Sequence, residues 1–285
     1  MQVRERELVQ GLDKLDVPLP RQVSRARKIW RAAWPKLLAV TIFFAIWQFL
    51  YAIEWKPHYV LPSPVDTFKA LFDNWDVIFP AARRTLGRAV QGFTIALVIG
   101  SVVGAFVSRI PVLRAAVGSM ITGLQTMPSV AWFPAAIVLF KQSETAIMFV
   151  VVLGAAPSIA NGLINGIDNI PPVLLRAGRV LGASRVAAFH SVILPAAMPS
   201  FVGGLKQGWA FAWRSLLAGE LLVLIAGHFS LGQQLDANRQ FGDYAGLYAV
   251  MIVIFVIGVV MDACVFGVAD RWVRRRYGLV DTAAS

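Results

Sequence analysis

The chain has 285 residues, of which 57% are hydrophobic and 15% are charged, and its net charge at pH 7 is +11. Soluble domains carry about 25% charged residues. Here the charges lie in clusters that separate apolar runs of roughly 18–25 residues, the length that crosses a bilayer core. This pattern excludes a soluble globular domain and predicts an all-α polytopic membrane protein.

The positive charge does not indicate a nucleic-acid-binding protein. It flanks the apolar segments, which is typical of cytoplasmic loops, and it lacks the basic–aromatic interleaving of nucleic-acid-binding surfaces. The single Cys264 lies in an apolar segment, so no disulfide framework is expected. The histidines His58, His190 and His228 are too far apart in sequence for metal-ligand spacing.

Residues 1–35 are predicted to form a basic cytoplasmic tail, without the apolar core of a signal peptide. From Arg21 to Trp34 the tail mixes basic residues with Ile29 and Trp30. Two interpretations fit this segment: a helix that lies in the lipid headgroup region, or a basic tail that only fixes the topology.

The first span is predicted at about 36–53, followed by an outer segment at 54–80. In that segment Ser63 is a candidate N-cap, with Pro64 at the first helical position and Asp66 in the first turn, so a short amphipathic outer helix is expected to begin there.

The second span is predicted at about 84–108, where Gly100 and Gly104 form a small-residue face for close helix packing. Three arginines at its outer end run against the positive-inside bias, and the pattern gives them no role: Arg83, Arg84 and Arg88.

The third span, at about 115–140, is interrupted by Pro128 and Pro134, with Trp132 between them. Such breaks occur in helices that line a transport pathway, and they also occur as kinks without function. Both readings stay open, and all three residues are candidates for lining a pathway.

Three further spans are predicted at about 145–166, 200–226 and 246–269, with an outer loop at 227–245 and an inner stretch at 168–199. Of the 27 Lys and Arg residues, eighteen then lie inside, six outside and three within spans. This bias places both termini in the cytoplasm. The expected organisation is a tail at 1–35, a membrane domain at 36–270 whose core begins at about 80, and a tail at 271–285.

The sequence lacks the motifs of enzymatic sites. It contains no G-x-x-x-x-G-K-[ST] phosphate loop, no G-x-S-x-G elbow and no H-E-x-x-H pair. The chain is therefore predicted to hold no cofactor or metal and not to hydrolyse ATP alone. The glycines, prolines and few charges inside its spans are typical of a transporter. A secondary transporter or channel is the first alternative, although neither inverted repeats nor midspan coupling acids are evident. A membrane-embedded enzyme is the second.

The inner stretch at 168–199 reads as two short helices. Pro171 and Pro172 predict a helix start, Gly182 a break, Ser184 a cap for the second helix, and Leu194-Pro195 its end. Exposed apolar side chains on such a basic loop indicate a groove on a partner protein.

This stretch resembles the EAA loop of permease subunits of ATP-binding-cassette (ABC) importers, whose pattern is E-A-A-x3-G-x9-I-x-L-P. The positions that match the pattern in spacing are Arg176, Ala177, Gly178, Gly182, Val192, Leu194 and Pro195. Arg176 replaces the acid and Gly178 the second alanine. The resemblance implies that the loop forms coupling helices seated in a cleft of an ATPase subunit, with Arg179, Ala183 and Ser184 as further contacts.

Other motifs are similar to the nitrate/sulfonate/taurine/bicarbonate branch of these permeases. They are Leu61-Pro62-Ser63-Pro64, the set Thr85, Arg88, Gly92 and Phe93, the pair Pro128 and Pro134, Ala218-Gly219-Glu220, and Leu231-Gly232. The resemblance implies a homodimer in the bacterial inner membrane, two ATPase subunits that bind ATP and Mg²⁺, and an external solute-binding protein. It implies a small anionic solute, with a vitamin-like heterocycle as the alternative.

The fifth span carries three charges, Lys206, Arg214 and Glu220. Charge within a membrane is costly and indicates function by default. We expect Arg214 to face the pathway of an anion, with Lys206 and Glu220 as further candidates. The alternative is a structural ion pair of Arg214 with Glu220 or with Asp262 of the sixth span.

Overall fold

The computed structural model describes residues 25–225 and 229–277. The described residues divide into two units, one at 25–56 and the other at 57–225 and 229–277. All regular structure in the described residues is helical. Five helices are long and apolar enough to cross a membrane, or six if the bent third span is counted as one, in agreement with the predicted class.

The described part of the first unit is one long helix, α1 (Arg25–Ala52). Its stretch from Ala33 to Ala52 is apolar enough to span a membrane. The helix begins earlier than the predicted span, so the end of the predicted tail is helical, whereas its first 24 residues lie outside the described part of the chain.

The second unit opens with the expected outer helix, α2 (Pro64–Asp73). The backbone N–H of Asp66 donates to the Ser63 hydroxyl at 3.1 Å, and Pro64 occupies the first turn, where it removes no helical hydrogen bond. The predicted N-cap is confirmed. Next comes α3 (Trp75–Arg109), which begins before the predicted start of the second span at about residue 84.

The predicted third span is broken rather than kinked. It consists of α4 (Pro111–Thr126), a 3₁₀ turn (Ser129–Trp132) and α5 (Phe133–Phe140), and its two halves are bent by 103°. The break falls at Met127 and Pro128. Pro134 does not interrupt a helix, because it lies in the first turn of α5, where proline is tolerated.

The core is built around α6 (Glu144–Asp168), which is the most deeply buried span. It packs against α3 on one side and against α9 (Leu194–Leu222) on the other. Small residues set both contacts: a Cβ atom added at Gly100 would lie 2.6 Å from the carbonyl oxygen of Ala156, and one at Gly162 would lie 2.5 Å from the Cα of Gly204. The predicted small-residue faces therefore bring helix backbones together.

Between α6 and α9 lie α7 (Pro172–Val180) and α8 (Arg185–Ala188), and a π-turn at Phe189–Ile193 continues into α9. The prediction that Leu194-Pro195 ends the second short helix is wrong, because the helical path from Val186 to Leu222 is continuous. A π-turn widens the backbone ladder just before Pro195, so the proline's missing N–H and its ring are accommodated.

The segment predicted as an outer loop contains an additional helix, α10 (Leu231–Phe241). Ser230 caps its start and Gly242, with φ of 74°, ends it, so both boundary signals are present in the sequence. In this helix, outside the spans, the hydrogen bond from Arg239 holds the pKa of Asp236 below its ordinary value. The last span consists of α11 (Tyr244–Val260), a π-turn (Met261–Phe266) and α12 (Gly267–Arg276).

Candidate functional site

A buried polar cluster connects the interior of α3 with the ends of α6, α9 and α10. The guanidinium of Arg88 donates to Glu220 at 3.1 Å through Nη1 and to Glu144 through Nη2. The Thr85 hydroxyl donates to Glu220 at 2.9 Å. We call this cluster the Arg88 junction; its members are Thr85, Arg88, Glu144, Glu220 and the backbone N–H groups of Leu231 and Gly232.

The junction also closes the start of α10. The N–H of Gly232 donates to a Glu220 carboxylate oxygen at 3.1 Å, and the N–H of Leu231 donates to the Thr85 hydroxyl at 3.0 Å. A negative charge at a helix N-terminus is favourable because it satisfies free N–H groups and complements the helix dipole. Glu220 of α9 is therefore bound from two other helices, α3 and α10, and its side chain is fully buried.

The junction accounts for motifs that lie far apart in the sequence. Thr85, Arg88 and Glu220, together with Leu231-Gly232, meet at this one place. Two neighbouring positions of the α3 motif pack elsewhere. Gly92 faces Val151 of α6, and the Phe93 ring lies 5.4 Å from that of Trp209 on α9. The role of Arg88, which the sequence did not assign, is thus a buried ion pair.

Arg214 does not form either of the ion pairs considered for it. Six positions separate it from Glu220, which places the two side chains about 120° apart around the helix. Glu220 instead meets Arg88, and Asp262 meets Lys206 at 2.9 Å. Arg214 is exposed on this protomer and lies over the Phe211 ring at 4.8 Å. It has no carboxylate partner within the described ranges.

The ion pair of Lys206 and Asp262 joins α9 to the π-turn of the last span. Both side chains are about half exposed on the protomer, at 52% and 54%. The distorted turn at Met261–Phe266 presents Asp262 to the lysine, and π-turns inside α-helices often occur at functional sites. Pro128 and Pro134 at the broken span are exposed, and Trp132 is half-buried.

At the opposite end of α6, the inner stretch has the predicted break at Gly182 and the predicted cap at Ser184, although its second helix continues into α9. Helix α7 ends in a Schellman motif: the N–H of Ala183 donates to the Gly178 carbonyl and that of Gly182 to the Arg179 carbonyl, both at 3.0 Å. Gly182 has φ of 76°, a conformation that favours glycine. The predicted Ser184 cap is formed by the N–H of Ala187 at 3.3 Å.

The surface of this stretch is apolar and exposed, with fractional exposures from 70% to 87% at its outermost positions: Val173, Val180, Leu181 and Val186. Arg176, Ala177 and Arg179 are exposed as well. Gly178 is buried, and a Cβ atom added there would lie 3.2 Å from the Val192 side chain, so these two positions of the motif pack against each other. Leu194 and Pro195 are half-buried at the start of α9.

Two contacts fasten the inner stretch to the neighbouring helices. The guanidinium of Arg109, at the end of α3, lies 4.3 Å from the Phe189 ring centre. Arg114 of α4 forms a bidentate ion pair with Asp168 at the end of α6. Within the described residues, no group of three or more His, Cys, Asp or Glu could hold a metal ion.

Comparison with known proteins agrees with this architecture. The chain is 26% identical to the nitrate import permease protein NrtB of Leptolyngbya laminosa over 259 residues, which cover 86% of this chain and 89% of that protein. It is 29% identical to the bicarbonate transport system permease protein CmpB of Synechococcus elongatus over 252 residues, 84% of this chain and 88% of the relative. A probable ABC transporter permease of Brucella melitensis is 29% identical over 218 residues, 74% and 85% of the two chains.

Solved structures share the fold. A chain of the MetNI methionine ABC transporter in an inward-facing conformation has a TM-score of 0.55 at 23% identity, covering 67% of this chain and 92% of its own. A chain of an amino acid ABC transporter crystallised with histidines has a TM-score of 0.58 at 18% identity, covering 73% and 98%.

The family assignment rests on a match that covers more than half of the chain. Residues 96–276 match the family described as the binding-protein-dependent transport system inner membrane component. In such systems the ATPase is a separate subunit, so this chain is a transporter subunit and not an enzyme. It works in the inner membrane together with an ATPase and a binding protein. The chain belongs to this family, the permease subunits of ABC importers.

Proposed function

We propose that this permease forms the translocation pathway for a small anionic solute such as nitrate, bicarbonate, taurine or another sulfonate. The observation that carries the proposal is the alignment of 84–86% of the chain with relatives named for nitrate and bicarbonate transport. The basic side chains of α9 support it, because a pathway for anions needs positive charge within the membrane. The family membership overturns the alternative of an ATPase-independent transporter.

In this proposal Arg214 faces the pathway. Its guanidinium is exposed on the protomer, packs on Phe211 and hydrogen bonds only to the Ala210 carbonyl of its own helix within the described part of the chain. A charged group in a membrane span without a carboxylate partner is expected to meet water or a solute. Lys206 and the broken span at Pro128, Trp132 and Pro134 are proposed to line the same pathway. Glu220 is fully buried in the Arg88 junction, so we propose that it holds the helices beside the pathway in place and does not line it.

We expect replacement of Arg214 by alanine to reduce solute uptake by about tenfold or more, because one charge-assisted hydrogen bond to an anion contributes about 1.5–3 kcal/mol. Uptake is measured in proteoliposomes that contain the permease, its ATPase and its binding protein. Arg214→Lys, which keeps the charge, serves as the control and should retain more uptake than the alanine variant. Unchanged transport kinetics in Arg214→Ala, with assembly intact, would refute the pathway role.

We also propose that α7 and α8 are coupling helices that dock into the ATPase, where ATP and Mg²⁺ bind. The exposed apolar side chains Val180, Leu181 and Val186 are suited to a groove, since such a surface is unfavourable in water. A second copy of the permease completes the importer, and both termini lie in the cytoplasm with the basic tail. ATP binding then brings the two coupling loops together and switches the spans between inward-facing and outward-facing states.

The exposed Arg176, which stands where the family has an acid, is expected to meet an acidic residue of the ATPase. Arg176→Glu should uncouple transport, with uptake falling while the ATPase still hydrolyses ATP. Charge reversal of the partner acid should then restore uptake. Arg275→Glu in α12, an exposed arginine outside the loop, is the control and should change little. Full coupling in Arg176→Glu would argue against a charged contact at this position.

The function itself is tested by reconstitution. Purified permease, ATPase and binding protein should import labelled nitrate or bicarbonate in the presence of ATP, and vanadate should stop the import. Calorimetry of the binding protein against a metabolite panel identifies the solute. Tight binding of a neutral heterocycle, with no anion bound, would contradict the proposed solute class and leave the importer assignment intact.

A further inference from the structure

An open cleft of about 510 Å³ lies beside the Arg88 junction, at the end of α6 farthest from the coupling helices. Its lining consists of Arg84, Arg88, Gln91, Glu144, Thr145 and Met148. Arg84, Arg88 and Gln91 are spaced i, i+4 and i+7 along α3, so they share one helix face. The cleft thus has one wall with two arginines and an amide.

The two carboxylates that meet Arg88 are held differently. The Glu220 side chain is fully buried and also accepts hydrogen bonds from Thr85 and from the N–H of Gly232. The Glu144 side chain is 48% exposed, and Arg88 is its one hydrogen-bond partner in the residues that the structure describes. Glu144 can therefore rotate into water by breaking its contact with Arg88 alone, whereas Glu220 cannot leave without also freeing the Thr85 hydroxyl and the N–H of Gly232.

The charges favour an anion in place of Glu144. Arg84 is exposed and has no hydrogen bond or ion pair within the described ranges. Glu220 neutralises the Arg88 charge on the side away from the cleft. Rotation of Glu144 out of the cleft would then leave the positive charge of Arg84 and a free N–H donor of Arg88 facing an incoming anion. The Arg88 side chain is only 7% exposed, and a donor shielded from water binds an anion more strongly than an exposed one. Its planar guanidinium suits the flat geometry of carboxylate-like oxyanions.

We propose that this cleft is a binding site for a small oxyanion, which displaces Glu144 from Arg88 and is held by Arg84 and Gln91. Glu144 acts as an internal competitor that occupies the arginine when no anion is bound. The inference rests on the proposed function, since it supplies an anion site at the end of the membrane domain where the predicted topology places solute entry. It assigns roles to Arg84 and Glu144. It also gives the Arg88 junction a role in anion binding in addition to its role in helix packing.

The test measures protection of an engineered cysteine in the cleft. Thr145→Cys, in a Cys264→Ser background, is labelled with an uncharged maleimide in the assembled permease–ATPase complex, in phosphatidylcholine nanodiscs. Sodium nitrate, bicarbonate and methanesulfonate are titrated against sodium chloride, whose anion has no oxygen atoms, at constant ionic strength. At least one of the three oxyanions should slow labelling in a saturable manner.

Three further substitutions make the test specific. Glu144→Ala should lower the half-protecting concentration by about tenfold, since it removes the competing charge-assisted hydrogen bond. Arg84→Gln should raise that concentration by a similar factor. Arg83→Gln removes the same charge from the adjacent exposed position, which lines a different cleft, and should change the value by less than about twofold.

Failure of all three oxyanions to protect the cysteine would overturn the site, as would protection that neither Glu144→Ala nor Arg84→Gln alters. Slowed labelling in phosphatidylglycerol nanodiscs without added anion would assign the site to lipid phosphate and would also overturn it. Uptake assays separate this inference from the proposed function. Anion uptake without protection refutes the site alone, and protection without anion uptake supports the site while contradicting the proposed solute.

Discussion

Replacement of Glu220 by alanine is expected to destabilise this permease strongly and to lower its amount in the membrane. The substitution leaves the buried Arg88 without its inner partner, and it leaves the Thr85 hydroxyl and the N–H of Gly232 without an acceptor. Removing one partner of a buried ion pair costs about 3–5 kcal/mol, which is a large share of the about 5–15 kcal/mol of net stability typical of a folded protein. The measurements are the amount of protein in the membrane and the thermal unfolding of the purified complex.

Two variants distinguish this loss from a general intolerance of substitution. Glu144→Gln changes the half-exposed partner of the same arginine and should leave membrane levels close to those of the unmodified protein. Arg88→Met combined with Glu220→Met removes both charges and should recover part of the stability lost in Glu220→Ala, because no unpaired buried charge remains. A Glu220→Ala protein as stable as the unmodified one would show that the junction is not a structural centre.

Gly204→Ala is expected to have the second largest effect, because Gly204 lies where α6 and α9 approach most closely. A Cβ atom at Gly204 would lie 2.7 Å from the Cα of Gly162 and 3.0 Å from the Ser158 carbonyl oxygen. Both are backbone atoms, so the helices must separate. Overpacking of this kind costs about 1–3 kcal/mol, and the change is measured as a lower melting temperature of the purified permease.

The adjacent Gly203 provides the matched control. A Cβ atom added there meets no atom within 4 Å, so Gly203→Ala makes the same chemical change without a steric clash. Because alanine is favoured over glycine inside a helix by about 1 kcal/mol, this variant should be as stable as the unmodified protein or slightly more stable. Equal melting temperatures for the two alanine variants would contradict the close helix contact.

The Arg88 junction gives a physical reason for Arg88, one of the three arginines at the outer end of the predicted second span. Arg88 lies in a membrane span, at the level where α6 begins, and two carboxylates from other helices compensate its charge. The junction also anchors α10, a helix between the last two spans, to α3 and α9. Motion of these helices relative to each other during transport would therefore have to keep the Glu220 contacts or break several buried hydrogen bonds together. The Glu144 contact is the one that can open alone.

Much of the local structure could be predicted from the residues. Apolar length and charge placement predicted the class and the number of spans, because a bilayer requires helices of a given length. Ser63 and Gly182 predicted a helix start and a helix end, because capping depends on residues that are close in sequence. The inner stretch was predicted as two short helices; the first is present, whereas the second continues through Pro195 into α9. The helix α10 was missed, although Ser230 and Gly242 mark its ends.

Only the tertiary structure decided which charges pair. Arg88 and Glu220 are 132 positions apart, and no local pattern indicates that α3, α9 and α10 meet. The continuity of the helix through Pro195 and the 103° bend at Pro128 likewise depend on how neighbouring turns and helices accommodate a proline. Sequence patterns determine the propensity of each helix and the face that it buries. The rotation and depth of one helix against another depend on packing over the whole domain, and they bring Arg88 to Glu220 while leaving Arg214 without a carboxylate partner in the described residues.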